Sequence, residues 1–196
     1  MRSDTLAVLD WGHLGQLPPR EMHTGAVHED QIEVYGIAWY LLPLMVSLRE
    51  AGHSVQIAGQ GDYTSRQKAA VLAAREHFKR VAYISCHLNA FPGEDIPNRC
   101  VAFYNQHSQG GAELAELAVT YVTGIDTRII PANGGDWTQN AWRVSGGDII
   151  FGGPRNISGI CLEPMALNGV PRSDAETLQR LGTQLAIGIS QWLDVP

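Results

Sequence analysis

Cysteine is scarce in this sequence, with Cys86, Cys100 and Cys161 as the only three among 196 residues. An odd number of cysteines cannot form a complete set of disulfides. No two of the three stand in the C-x-x-C spacing of a zinc site or a redox motif. We therefore expect reduced thiols with no part in metal binding, as in a protein made in the cytoplasm.

An excess of basic residues is also lacking. Lys and Arg number 14 against 20 Asp and Glu, which gives a formal net charge of −6. Proteins that bind nucleic acid or anionic membranes usually carry a basic patch or a positive net charge. The composition therefore excludes nucleic acid and an anionic lipid surface as expected partners.

Long apolar runs are absent as well. No stretch approaches the ~20 apolar residues that span a bilayer. The first residues, MRSDTLAVLDWGH, contain no cationic segment followed by an apolar core of a signal peptide. The sequence predicts a chain with neither a signal peptide nor a membrane anchor, made in the cytoplasm.

Short β-rich runs alternate with longer helical patterns, and no break in composition divides the chain. This order is typical of an α/β fold. We predict a single domain over 1–196, with a central, mostly parallel or mixed twisted sheet flanked by helices. The predicted strands are 6–10, 54–58, 81–87, 99–105 and 159–163. The predicted helices are about 30–52, 64–77, 112–122 and one that begins after a cap at Ser173. Residues 133–157, rich in Gly, Asn and Trp, have no clear period and are predicted to form an elaborate loop region.

Three polar side chains follow apolar strands directly. His13 follows the first strand across a Gly turn, His87 ends the third strand, and Glu163 ends the last one. In α/β folds, ligands bind beyond the carboxyl ends of the strands, so these side chains are expected at one edge of the sheet. Buried imidazoles and carboxylates are costly unless they are paired or bound to a metal. The pattern therefore favours a zinc site.

A catalytic zinc ion typically has three protein ligands and a water molecule. Beside His13 and His87, the third ligand is expected to be a carboxylate near the start of the first helix. Glu29 fits this position, although an acidic residue at a helix start is also favoured by the helix dipole alone. Glu33, predicted a turn inside the helix, and Glu21, in the preceding loop, are the alternatives.

Four short motifs occur in a fixed order along the chain. They are Leu9-Asp10-Trp11-Gly12-His13, Glu29-Asp30, Ile84-Ser85-Cys86-His87-Leu88-Asn89-Ala90 and Ile160-Cys161-Leu162-Glu163. This order resembles that of the zinc-dependent N-acetylmuramoyl-L-alanine amidases of the type 3 family. In that family a Gly-His turn, a Glu at the first helix, a Ser-x-His-x-Asn strand end and a strand ending in a catalytic Glu follow one another. The resemblance spans nearly the whole chain.

The resemblance implies one Zn²⁺ ion held by His13, Glu29 and His87, with Glu163 as the catalytic acid/base. It implies hydrolysis of the amide between N-acetylmuramic acid and L-alanine, with peptidoglycan as the partner of a monomeric enzyme. The lack of an export signal and of an appended wall-binding segment favours a phage lysis enzyme, an endolysin. The alternatives are a zinc peptidase that cuts within the stem peptide and a non-catalytic peptidoglycan-binding module.

Residues in the 133–157 region offer candidate substrate contacts. Trp137 and Trp142 have the amphipathic rings that stack on sugars, although packing over the core is the more common role of such residues. Arg143, and Arg155 with it, can bind carboxylates through two hydrogen bonds, although a solvated surface position is the default.

No internal repeat is present.

Overall fold

The computed structural model describes residues 2–14, 25–29, 31–59, 61–90, 96–170 and 174–195. Its strands are β1 (Arg2–Trp11), β2 (Val27–His28), β3 (Gln31–Ile32), β4 (His53–Ala58), β5 (Arg80–Cys86), β6 (Ile96–Pro97), β7 (Arg99–Asn105), β8 (Asp126–Ala132), β9 (Ile157–Glu163) and β10 (Gly169–Val170). Its helices are α1 (Glu33–Glu50), α2 (Tyr63–Glu76), α3 (Gln109–Thr120), α4 (Gln139–Val144), α5 (Gly147–Phe151) and α6 (Ala175–Asp194).

The central sheet has the strand order β4-β1-β5-β9-β7-β8. The pairs β4/β1, β1/β5, β5/β9 and β7/β8 are parallel, whereas β9 and β7 are antiparallel. The carboxyl ends of β1, β5 and β9 therefore lie at the same edge of the sheet as the amino ends of β7 and β8. The predicted α/β class with a mostly parallel, mixed sheet is confirmed.

Helices cover both faces of the sheet. On one face α1, α3 and α6 pack together over a core that includes Leu41, Ile84 and Leu185, all fully buried. On the other face α2 and α5 pack over a smaller cluster that includes Val8 and Tyr83. Strands buried on both faces explain why β5 and β9 have nearly continuous apolar sequences.

The last helix shows how sequence pattern becomes packing. Every third or fourth side chain of α6 is buried, and these are Leu178, Leu181, Leu185, Ile189 and Trp192. This is the face that the periodicity predicts. The side chain of Asp174 caps the helix by accepting a hydrogen bond from the amide of Thr177 at 2.7 Å. Ser173, the predicted cap, lies outside the described residues.

Several predicted boundaries are wrong: the strand predicted at 6–10 spans Arg2–Trp11, and the helix predicted at 112–122 spans Gln109–Thr120. The helix predicted from about residue 30 begins at Glu33, because Val27–His28 and Gln31–Ile32 pair as a short antiparallel hairpin. The helix predicted from residue 64 begins at Tyr63, and its cap is Asp62, whose side chain accepts a hydrogen bond from the amide of Ser65. The strand β8 was not predicted. Residues 133–157 contain the short helices α4 and α5.

All three cysteines are free and buried, as the sequence predicts for structural thiols. Burial raises the pKa of the Cys100 thiol to about 12, so this thiol is unreactive at neutral pH. Within the described residues, none of the helices has the length and apolar character needed to cross a bilayer.

Candidate metal centre

Three side chains that could together hold a metal ion meet at the sheet edge where β1 and β5 end. They are His13, Glu33 and His87, and their potential ligand atoms all lie within 4.8 Å of one another. Glu33 Oε1 is 3.2 Å from His13 Nε2 and 3.0 Å from His87 Nδ1. The two imidazole rings are nearly perpendicular, with their centroids 5.0 Å apart.

These distances suit a zinc ion. Two ligands of a tetrahedral zinc with bonds of ~2.0–2.1 Å stand about 3.3 Å apart, close to the two contacts of Glu33. An imidazole nitrogen that faces a carboxylate needs either a proton or a shared cation between the two groups. Two histidines and one carboxylate also form the ligand set of a known class of catalytic zinc sites. The residues present therefore fit Zn²⁺.

The backbone that presents His13 depends on a glycine. Gly12 donates a hydrogen bond of 3.0 Å to the carbonyl of Cys86 on the neighbouring strand. A Cβ atom at Gly12 would lie 2.5 Å from that carbonyl oxygen and 2.6 Å from Cε1 of His87, so no larger residue fits. His13 itself has a φ of 64°, a left-handed conformation that is uncommon for a non-glycine residue. Such strained positions often occur at functional sites.

A buried arginine on α2 holds the turn that carries His13 in place. Arg66, on α2, forms an ion pair with Asp10 at the end of β1, and Tyr83 donates a hydrogen bond to the same carboxylate. The Arg66 guanidinium also donates to the carbonyls of Trp11, at 3.3 Å, and of Leu14. Carbonyls on both sides of His13 are thereby tied to one rigid group, which fixes the direction of the imidazole.

Glu33 is the first residue of α1 and is 4 % exposed. Its Oε2 accepts from the amide of Ala26 at 2.9 Å, and its Oε1 accepts from the amide of Leu88 at 3.2 Å. Burial acts to raise the pKa of Glu33, but hydrogen bonds with His13 and His87 outweigh it and hold the pKa well below its usual range. The carboxylate is therefore ionised, as a metal ligand must be.

Tyr63 contacts the imidazole of His87 from outside the group of His13, Glu33 and His87. Its hydroxyl lies 3.3 Å from Nε2 of His87, and the two rings are 6.1 Å apart. Burial raises the pKa of Tyr63, so its hydroxyl stays protonated. An outer hydrogen bond of this kind sets the tautomer of a histidine and leaves the other nitrogen for a metal.

The structure does not bring Glu29 to the metal-binding group. Glu29 is exposed in the turn between β2 and β3, with a φ of 52°. Its assignment as the third ligand depended on a helix that begins there, and that helix begins four residues later. The expectation of a carboxylate at the helix start thus leads to Glu33, which was a sequence-based alternative. The other alternative, Glu21, lies outside the described residues.

Glu163 ends β9 and lines the same cavity as His13 and His87, a space of about 290 Å³. Burial, and then the negative charge of Glu33, raise the pKa of Glu163 to about 8. A carboxyl group that titrates near neutral pH can both accept and return a proton, which is the property of a general acid/base.

The other candidate contacts are spread over the molecule. Arg143 lines the metal cavity. Trp142 is half-buried against Gly134 and Gly147 and packs in a small core cluster, whereas Trp137 is 73 % exposed. Arg155 lies at the opposite end of the sheet, in a separate cavity with Arg80 and Trp192. Sequence reasoning gave no role at the site to Tyr63 and Arg66, which lie in the first turn of α2 and reach the site through tertiary contacts.

Solved structures share this fold over almost the whole chain. The catalytic domain of CwlV, an N-acetylmuramoyl-L-alanine amidase from Bacillus (Paenibacillus) polymyxa var. colistinus, matches with a TM-score of 0.69 and 18% identity, covering 98% of this chain and 99% of that one. The CwlD amidase from Clostridioides difficile, solved in complex with the GerS lipoprotein, gives 0.66 and 18%, covering 97% and 99%. The amidase Ami1 from Mycobacterium smegmatis gives 0.67 and 14%, covering 96% of each chain.

No protein-family model matches the chain, and no curated protein sequence matches it. The chain therefore has the fold of the N-acetylmuramoyl-L-alanine amidases at low sequence identity.

Proposed function

We propose that this chain is a zinc-dependent N-acetylmuramoyl-L-alanine amidase that cleaves peptidoglycan. The observation that carries the proposal is the group His13, Glu33 and His87, which shares one cavity with Glu163. The sequence resemblance and the shared fold support the same reaction. The proposed ligand set differs from the sequence-based one in a single residue, Glu33 in place of Glu29.

In this proposal His13, Glu33 and His87 hold one zinc ion. When bound, zinc lowers the pKa of a water molecule toward ~7 and polarises the carbonyl of the scissile amide. Glu33 contributes the negative charge and is oriented by the amides of Ala26 and Leu88. Arg66, through the carbonyls of Trp11 and Leu14, keeps His13 directed at the same point.

Glu163 moves the proton. As a carboxylate it accepts a proton from the attacking water, and as a carboxylic acid it returns that proton to the departing amine of L-alanine. A pKa near neutral allows both transfers without a large energy difference between the two states. The products are a free lactyl carboxylate on the sugar and a peptide with a free amino terminus.

The test is digestion of purified peptidoglycan by the zinc-loaded protein, with products identified by mass spectrometry. We expect free stem peptides that begin with alanine. Glu163→Gln should lower the rate by about 10²–10⁴-fold, since this is the usual contribution of a general acid/base. Removal of zinc by a chelator should abolish turnover, and added zinc should restore it.

Cut stem peptides that remain attached to the sugar would contradict the amidase and indicate a peptidase. Zinc binding without turnover would favour a binding module. The origin of the chain from a phage, its monomeric state and its use in lysis stay predictions from the sequence.

A further inference from the structure

A groove leaves the metal cavity and crosses the outer strands of the sheet. Its volume is about 570 Å³, and it shares Asn89, Asn140 and Glu163 with the metal cavity. We call it the strand groove, defined by Val101, Phe103, Ile130 and Trp137 along its length and by Arg99 and Arg128 as its basic residues. A ligand held at the metal centre can therefore extend over β7 and β8 without leaving a continuous concave surface.

The strand groove has an apolar wall with one highly exposed aromatic ring. Trp137 is 73 % exposed and meets Phe103 edge-on, with ring centroids 6.3 Å apart. Leaving so much of an indole in water is costly, and large aromatic residues of this kind typically provide contact area for a ligand. The wall suits aliphatic side chains and an extended backbone.

The part of the groove around Arg99 and Arg128 has two basic side chains beside one acidic one, Asp126, in a protein that is acidic as a whole. The Nε atoms of Arg99 and Arg128 lie 3.4 and 3.2 Å from the same oxygen of Asp126. Two guanidinium groups thus share one carboxylate. Among the described residues, neither arginine forms an ion pair with a second acidic side chain. A guanidinium group has five N–H donors, so each arginine can bind a second carboxylate in addition to Asp126.

The register of the sheet gives the distance from this charge to the reaction. Glu163 pairs with Val101, and Val101 pairs with Arg128, so the three lie in one row across β9, β7 and β8. Neighbouring strands are about 4.8 Å apart, so Glu163 and Arg128 are separated by about 10 Å at the backbone. An extended peptide advances about 3.3 Å per residue, so this distance corresponds to roughly three residues.

We infer that Arg99 and Arg128 bind a carboxylate of the stem peptide, two or three residues beyond the scissile amide. The inference rests on the proposed function, because that function places the peptide side of the substrate at the metal centre. It makes the two arginines specificity residues: a stem with a free carboxyl at this position is bound, and the same stem with a carboxamide is disfavoured. The groove then holds peptide, and the sugar lies on the other side of the metal centre.

The kinetic test uses pairs of synthetic N-acetylmuramoyl peptides. In each pair, one compound has a carboxyl group and the other a carboxamide at the same residue, and the second and third residues are each tested in this way. We expect the zinc-loaded enzyme to prefer the carboxyl form by about tenfold in kcat/KM, as for one charge-assisted pair at a partly exposed site. The preference should reside in KM. Arg128→Gln should reduce the ratio to about one, and Arg99→Gln should reduce it in part. Arg75→Gln, an exposed residue on α2, is the matched control and should leave the ratio unchanged.

A binding test separates this inference from the reaction itself. Titration calorimetry of zinc-loaded Glu163→Gln with the two compounds of each pair should show tighter binding of the carboxyl form, and Arg128→Gln added to this variant should remove the difference. Equal binding of the two forms, or a preference that survives in Arg128→Gln, would overturn the inference even if both compounds are hydrolysed. Failure of both compounds to be hydrolysed would contradict the proposed function, and the calorimetry would still decide the role of the arginines.

Discussion

The carboxylate of Glu33 is held by four groups at once. One oxygen contacts both imidazoles and the amide of Leu88, and the other accepts from the amide of Ala26. The position at the start of α1 also favours a negative charge through the helix dipole. These contacts orient the carboxylate before any ion binds, and such pre-orientation lowers the entropic cost of forming a metal site.

The first prediction concerns the identity of the third ligand. Glu33→Gln should lower the zinc affinity by about a hundredfold, because a neutral amide replaces the one anionic ligand. Glu29→Gln is a matched control, since it is the same substitution on an exposed residue a few positions earlier. Zinc content after dialysis against a competing chelator measures both variants. A loss of zinc in Glu29→Gln, with retention in Glu33→Gln, would restore the sequence-based assignment.

The second prediction concerns the outer contact of His87. Tyr63→Phe removes a hydroxyl 3.3 Å from Nε2 of the imidazole and preserves the ring. We expect weaker zinc binding, by about tenfold, because the tautomer that presents Nδ1 is no longer favoured. Competitive chelation again provides the measurement, with far-ultraviolet circular dichroism to verify the fold. Unchanged affinity would show that Tyr63 does not orient the histidine.

At the scale of elements, the site depends on how closely β1 approaches β5. The contact at Gly12 brings the turn that carries His13 against the end of the strand that carries His87. Both proposed ligands, His13 and His87, are thus fixed by one backbone contact, and Arg66 fixes the same turn from α2. The relative positions of His13 and His87 therefore depend on the backbone at this sheet edge as well as on the two side chains.

The third prediction follows from this contact. Gly12→Ala should lower the free energy of unfolding by about 1–3 kcal/mol, since its Cβ would overlap a backbone carbonyl. The shift should also separate the two histidines and weaken zinc binding. Gly135→Ala, whose Cβ would lie at an ordinary 3.5 Å from Asn133 Oδ1, is the control. Urea unfolding of the metal-free proteins measures the first effect. Equal stability of the two variants would contradict the packing role of Gly12.

The elements that sequence patterns located well are those buried on a regular face. The strands β5 and β7 were predicted because they are nearly continuous apolar runs, and the buried face of α6 because its apolar residues recur with the helical period. The strand β8 was missed because it is an edge strand: Thr127, Ile129 and Pro131 give no alternation of buried and exposed residues. The start of α1 was misplaced because the hairpin before it is only two residues long on each side.

The site residues that follow apolar strands could also be predicted from the sequence, whereas the others could not. His13, His87 and Glu163 could be selected because each directly follows an apolar strand, and the structure places them around one cavity. The choice between Glu29 and Glu33 depended on one helix boundary, the least certain feature of a sequence-based prediction. Tyr63 and Arg66 reach the site from α2 through tertiary contacts, and no local pattern reports such contacts.

At the scale of the whole molecule, the reversal of direction between β9 and β7 determines which side chains surround the proposed metal centre. Parallel strands β1, β5 and β9 deliver His13, His87 and Glu163 from their carboxyl ends. Because β7 and β8 run the opposite way, they deliver Arg99 and Arg128 from their amino ends to the same edge. One sheet edge therefore carries both the proposed chemistry and the proposed recognition of the peptide.

The last prediction links this edge to the stability of the whole fold. The pKa of Glu163 is raised from 4.5 to about 8 in the folded protein, first by burial and then by the charge of Glu33. Folding therefore favours the protonated carboxyl. The corresponding stability is fully present below pH 4.5 and is lost as the pH rises through about 8. In the metal-free protein, the wild type should lose on the order of 4 kcal/mol relative to Glu163→Gln between pH 5 and pH 8.5.

Urea unfolding at a series of pH values measures this difference in the free energy of unfolding. The wild type and Glu163→Gln share all other titrating groups, including Glu33 and Asp10. Glutamine has nearly the same shape and does not titrate, so the comparison isolates one carboxyl. Zinc should diminish the difference, because a nearby cation favours the carboxylate and opposes the effect of burial. Parallel pH profiles for the two metal-free proteins would show that Glu163 has an ordinary pKa, and would remove the physical basis for its role as the group that both accepts and returns the proton.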